Sequence, residues 1–245
     1  MCSAVRLSPL WGSRRTVTPV TTTSVPAARS KRVRQTRKIT DLRMALDEFL
    51  RHRSPQLLLA ELPIVITIRL LWGNFGWIDV AILAGIVALQ PFTEWLIHVY
   101  VLHVHPRGRV TRTLDWAAGK SHRRHHQDPE DLSWQFIHPH AVLGGFAANL
   151  VLLAIGPHTA TYSVGAVAMT LAYEWTHYLI HTDVRPRSGP YKKLWRHHRL
   201  HHFRNENYWF GVTGRLGDRV LHTLPDKNDV PVSPTARTAA AARTA

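Results

Sequence analysis

Ten histidines of this chain stand in four groups whose spacing is that of ligands: His98 and His103, then His122, His125 and His126, then His177 and His181, then His198, His201 and His202. Imidazole is a neutral ligand of borderline softness that suits iron, zinc, copper and nickel. A site built from it without thiolate leaves the metal open to oxygen chemistry. Residues three and four apart share one face of an α-helix, so each of the last three groups would point its rings at a common centre. The first group fits less well, because five residues turn the second ring away on a regular helix. His105 would share a face with His98, so either the helix is interrupted here or His105 takes the place of His103. Each ring also needs an acceptor to fix its tautomer. Glu94 and Glu174, four and three residues before a histidine, are the first candidates, with Asp128 and Asp183 after them. The echo between Glu94–His98 and Glu174–His181 suggests two similar hairpins but does not establish a repeat.

Positioning these rings falls to apolar stretches at about 57–72, 77–97, 141–156 and 160–180, each near the roughly 20 residues that cross a bilayer core. The first carries Glu61, Pro63 and Arg69, costly inside a span. The short connections 73–76 and 157–158 hold no Lys or Arg, whereas the middle segment holds Arg107, Arg109, Arg112, Lys120, Arg123 and Arg124. The positive-inside bias then predicts an all-α protein of four transmembrane helices in two hairpins. Both termini and a helical cap carrying a di-metal histidine site would lie on the cytoplasmic side. A soluble helical bundle is the competing fold.

With 245 residues the chain is long enough for one large domain. Its 31 Lys and Arg against 16 Asp and Glu give +15, suited to an anionic headgroup surface or to nucleic acid. A lone cysteine, Cys2, excludes a disulfide framework and a thiolate cage. Residues 1–41 read as a disordered basic tail, with the Arg-rich, acid-free character of a transit peptide over most of it, or as sequence ahead of a true start at Met44. The domain proper runs over 42–225, and 226–245 reads as a disordered tail. His52, His138, His140, His158 and His222 stand alone and read as packing or surface residues; His105 and His197 are intermediate. Trp175, Trp195, Tyr208 and Trp209 read as interfacial anchors.

The ordered set HxxxxH, HxxHH, HxxxH and HxxHH, with the flanking residues 94–103, Tyr173 and 207–223, resembles the histidine signature of the fatty acid hydroxylase/sterol desaturase superfamily, over about Leu42 to Pro225. What the resemblance implies is an integral membrane, non-haem di-iron oxygenase, closest to the bacterial fatty acid hydroxylase branch. Its metal ligands would be His98, His103, His122, His125, His126, His177, His181, His198, His201 and His202. Two iron ions would be the cofactor, with zinc able to occupy the same site in purified protein. The reaction would hydroxylate an unactivated C–H bond of a fatty acyl or related lipid, with O2 and electrons from an external donor such as a ferredoxin or cytochrome. Carotenoid ring hydroxylation and sterol or lipid desaturation are the alternatives within the superfamily. A membrane metal-binding protein without turnover is the alternative outside it. Nucleic-acid binding does not account for the apolar hairpins, whose short connections hold no Lys or Arg, so no nucleic acid is expected as a partner.

Overall fold

The computed structural model describes residues 38–244, and every regular element among them is helical. The first 37 residues, which carry most of the expected basic tail, lie outside the described residues.

Helix α1 (Leu42–Phe49) starts where Asp41 accepts from the Met44 amide at 2.9 Å and supplies an N-cap. Ile39, Ala45 and Phe49 are buried against Tyr178, Leu179 and Val184, which ties the residues just before and within α1 to the end of a later helix. Helices α2 (Arg53–Leu71) and α3 (Trp77–Ile97) form the first hairpin, turned at Gly73 and Asn74, both with positive φ. Helix α3 runs directly into a π-helical turn, His98–Leu102. Helices α4 (Arg109–Leu114) and α5 (Lys120–Gln127) are likewise joined by a π-helical turn, Asp115–Gly119. The second hairpin is α6 (Pro139–Ile155) and α7 (Pro157–Ile180), broken at Gly156 and restarted by a proline whose missing N–H is harmless at that position. Helices α8 (Gly189–Phe203), α9 (Leu216–Val220) and α10 (Pro234–Thr244) follow.

Helix α7 is the central element and packs against α2, α3 and α6. Small residues along it, Ala160, Ser163 and Gly165, are buried. A Cβ at Gly165 would lie 2.5 Å from Ile86 Cδ1 and 3.1 Å from Leu83 Cδ2, so side chains of α3 pack directly onto the bare backbone of α7 there. Away from this seam α3 exposes Val80, Val87, Leu89 and Leu96.

Among the described residues, three helical stretches are long and apolar enough to cross a bilayer: Arg53–Leu71, Trp77–Leu102 and Leu132–Ile155. The fourth expected stretch forms α7, which has the length but is not one of these three. Its interior position accounts for its polar content, because Thr161, Ser163, Glu174 and His177 are all buried against neighbouring protein. The charges of α2 are also accommodated internally. Arg69 pairs with Asp79 at 3.0 Å, Thr161 donates to Asp79, and Asn149 donates to Glu61 at 2.7 Å.

The segment after Pro225, expected to be loose, instead carries α10. Val230, Ala236 and Ala239 are buried, and α10 packs on α5 and α8. Alanine methyls suffice there because the partner helices come close.

Candidate metal centre

All ten histidines of the pattern meet, in two groups of five. His98, His103, His122, His126 and His201 form the first group; His125, His177, His181, His198 and His202 form the second. Within each group the nitrogens that face inward lie within 4.8 Å of one another, the geometry of side chains that could hold a metal ion. The pairs at adjacent positions on α5 and α8 divide between the groups: His126 faces the first and His125 the second, His201 the first and His202 the second. The groups abut where the rings of His126 and His202 stack at 4.2 Å.

Local backbone explains the membership of His103. In the π-helical turn the His103 amide donates to the His98 carbonyl at 3.0 Å, five residues back. Residues five apart are thereby brought over one another, and the two rings lie 5.1 Å apart. His105 is exposed and belongs to neither group.

In the first group four Nε2 atoms follow one another in a closed circuit: His122 to His103 at 3.2 Å, His103 to His201 at 3.3 Å, His201 to His126 at 3.2 Å and His126 to His122 at 3.0 Å. His98 Nε2 joins it 3.1 Å from His122. In the second group His125 and His177 are 3.2 Å apart and His198 and His202 3.0 Å. Metal–imidazole bonds of about 2.0–2.1 Å put neighbouring nitrogens about 2.9 Å apart at a right angle and about 3.4 Å apart at a tetrahedral one, so the observed separations suit ligands of one ion. Nδ1 of His98 donates to the Phe210 carbonyl at 2.6 Å, and Nδ1 of His201 to that of Tyr208 at 2.7 Å. Their inward nitrogens are therefore bare lone pairs, as is that of His177, whose Nδ1 donates to the Gln135 carbonyl at 3.0 Å. With these three lone pairs fixed inward and the Nδ1 atoms of His125, His126, His198 and His202 left without a protein partner among the described residues, the donor set in each group fits a metal ion.

Nine of the ten rings are buried; His103 is partly exposed. Loss of hydration holds His122, His125, His126, His181, His198, His201 and His202 well below the ordinary histidine range, and their mutual repulsion adds to it. Burial lowers His103 to about 4. The rings are thus neutral at physiological pH, the form that binds metal.

The carboxylates do not sit where the helical spacing put them. Glu94 accepts from the Val212 amide and from the amide and hydroxyl of Thr213, and Glu174 accepts from Ser54 Oγ and the Ile137 amide, both at 2.7 Å. Each holds the segment whose carbonyl meets a ring: Phe210 lies just before Val212, and Gln135 just before Ile137. Their turn of helix faces a neighbouring loop rather than the histidine one turn on. Asp128 ends α5 half-buried, and Asp183 is exposed after α7. His197 is not in either group; its Nε2 meets Asp218 at 2.8 Å. The carbonyls of Gln135, Tyr208 and Phe210 had no signal in the sequence, since every residue has one. Asp218 lies in the 207–223 stretch that carried part of the resemblance, but nothing marked its role. Trp209 is buried, not an interfacial anchor. The isolated histidines lie outside both groups: His140, for example, stacks on Trp116 at 4.2 Å and His52 on Phe136 at 4.1 Å.

Compared with known proteins, the chain matches the fatty acid hydroxylase family over residues 83–223. It is 29% identical over 133 residues to a dihydroceramide fatty acyl 2-hydroxylase of Arabidopsis thaliana, a match covering 54% of this chain and 55% of that protein. It is 31% identical over 144 residues to a fatty acid 2-hydroxylase of Homo sapiens, covering 57% of this chain and 38% of that one. The matches thus span about half or less of these relatives. Its fold is similar to that of a solved structure of full-length scs7p in which only the hydroxylase domain is visible, with a TM-score of 0.56 at 22% identity, over 72% of this chain and 68% of that one.

Proposed function

We propose, from the premise that the chain belongs to the fatty acid hydroxylase family, that it is a membrane-bound di-iron oxygenase that hydroxylates an unactivated C–H bond of a fatty acyl lipid. The observation that carries the reading is the meeting of ten neutral imidazoles in two abutting groups of five, in a chain with helices apolar enough for a bilayer. Iron, when bound, supplies oxygen activation: one atom of O2 enters the C–H bond and the other leaves as water, with two electrons and two protons from an external donor.

The chain's own residues do the rest. The five histidines of the first group and the five of the second would each hold one ion, and zinc would take the same positions in purified protein. Backbone acceptors at Gln135, Tyr208 and Phe210 fix three rings with their lone pairs inward, and burial keeps bulk water from the centre. Helix α7 would be the fourth span, sheathed by α2, α3 and α6. Both termini, the segment 103–138 and α8 would then lie on one cytoplasmic side, in accord with Arg107, Arg109, Arg112, Lys192 and Lys193. That basic face would draw an acidic ferredoxin or cytochrome. The relatives' names make carbon 2 of the acyl chain the first position to assay.

The test is lipid profiling of cells that contain the protein, lack it, or carry His201→Ala. A hydroxylated acyl lipid present only with the unaltered protein supports the reading. The same lipid in all three defeats it.

A further inference from the structure

Outside the ten histidines, a set of buried polar contacts converges on one short segment, 208–213. The Tyr208 and Phe210 carbonyls accept from His201 and His98, both members of the first group. Between them Trp209 is buried with φ of 58°, a left-handed conformation that a bulky residue rarely takes and that persists only where its surroundings impose it. The backbone twist at Trp209 thus sits between two carbonyls that both end on rings of the same group. The Trp209 amide donates to the Thr223 carbonyl at 2.9 Å.

The two amides that follow Trp209 are held by Asp218, which is fully buried. One of its carboxylate oxygens accepts from the Phe210 amide at 2.9 Å and the Thr223 hydroxyl at 2.6 Å; the other accepts from the Gly211 amide at 2.7 Å and lies 2.8 Å from His197 Nε2. Glu94 takes the next two amides of the same segment, Val212 and Thr213. A Cβ at Gly211 would fall 1.9 Å from the Gly214 carbonyl oxygen, so only glycine permits the tight return of the chain there. The ring acceptor observed for the second group is the Gln135 carbonyl, outside this segment.

We propose that Asp218, oriented by His197, is a positioning residue for the first histidine group alone, setting the affinity of one of two metal ions through the Tyr208 and Phe210 carbonyls. A ring whose outer nitrogen keeps its acceptor holds its tautomer and direction and is the more basic ligand; a ring that loses it must be ordered when the ion binds. This inference rests on the two-ion reading above.

The experiment is anaerobic Fe(II) titration of the full-length protein in detergent, reading ions bound per chain and the two dissociation constants, for the unaltered chain, Asp218→Ala, Asp218→Asn, His197→Ala and His197→Gln. The expected result is two ions for the unaltered chain and, for Asp218→Ala, a loss of about tenfold or more in affinity for one ion with the other unchanged. His197→Ala should lose less in the same direction, and His197→Gln, which keeps a donor for the carboxylate, should recover most of it. Asp218→Asn, nearly isosteric, carries the test if the alanine variant does not fold: it too should weaken one ion selectively. Equal weakening of both ions, or of neither, overturns the inference. Fewer than two ions in the unaltered chain defeats the two-ion reading itself, a separate result.

Discussion

The two histidine groups are built from the same two helices and yet are held from opposite sides. Helices α5 and α8 give three rings to each group between them and so lock the groups together. The remaining rings come from different hairpins: His98 and His103 from the end of α3, His177 and His181 from the end of α7. Outside them, the first group leans on the segment 208–213, tied down by Glu94 and Asp218. The second leans on 135–137, tied down by Glu174. Glu94 and Glu174 occupy matching places one turn before a histidine and do the same work, since each pins the amide of a segment that offers its carbonyl to a ring. The difference is one of depth. His103 of the first group is partly exposed, and its neighbour Phe210 covers His98, His103 and His201 at ring separations of 5.3–5.7 Å. Shared helices should therefore make the rings of α5 and α8 indispensable to both ions, while the outer supports should act on one ion each.

The largest expected effect follows from the shared helices. Replacing His126 or His202, whose rings stack where the groups meet, should lower hydroxylated product below detection while leaving membrane insertion unchanged; product formation by either variant at more than a few per cent of the unaltered rate, roughly a 10²-fold window, would break the comparison. Next comes the end of the bundle remote from the histidines. Arg69→Met should leave the Asp79 carboxylate with Thr161 and the Gly76 amide but without its guanidinium partner, seen as a lower thermal midpoint, with the two ions still bound once the protein is folded. A third effect is smaller and sharper: Glu94→Gln should weaken one ion about tenfold and Glu174→Gln the other, so competition with a chelator should release the ions in opposite order in the two variants. Smallest of all, His105→Ala should change metal content by less than about twofold, because that exposed ring belongs to neither group.

Much of the site was legible because it is local. Three of the four histidine clusters lie on single helices, and helical spacing marks them as ligands; the common centre expected for each cluster does not hold for two of them, because His125 parts from His122 and His126, and His201 from His198 and His202, to face the other group. The pair His98 and His103 was legible through the resemblance and not through helical spacing, because its geometry depends on a π-helical turn that no residue type marks. The role of Glu94 and Glu174 was also hidden: spacing told which helix face they share with a histidine, but the loops that reach that face come from residues more than thirty positions away. The charges of α2 looked misplaced in a span until Asp79 and Thr161 were found beside Arg69. Helix α10 escaped notice because alanine-rich sequence carries little apolar signal, although a close partner helix buries alanine fully, as at Ala236.

The central claim is that these ten rings enclose two separate ions. Anomalous scattering at the iron edge, from crystals of the protein purified with iron, tests it most directly. Two peaks are expected, one within reach of His98, His103, His122, His126 and His201 and one within reach of His125, His177, His181, His198 and His202. A single peak shared by both groups, or iron bound away from these histidines, would contradict the account.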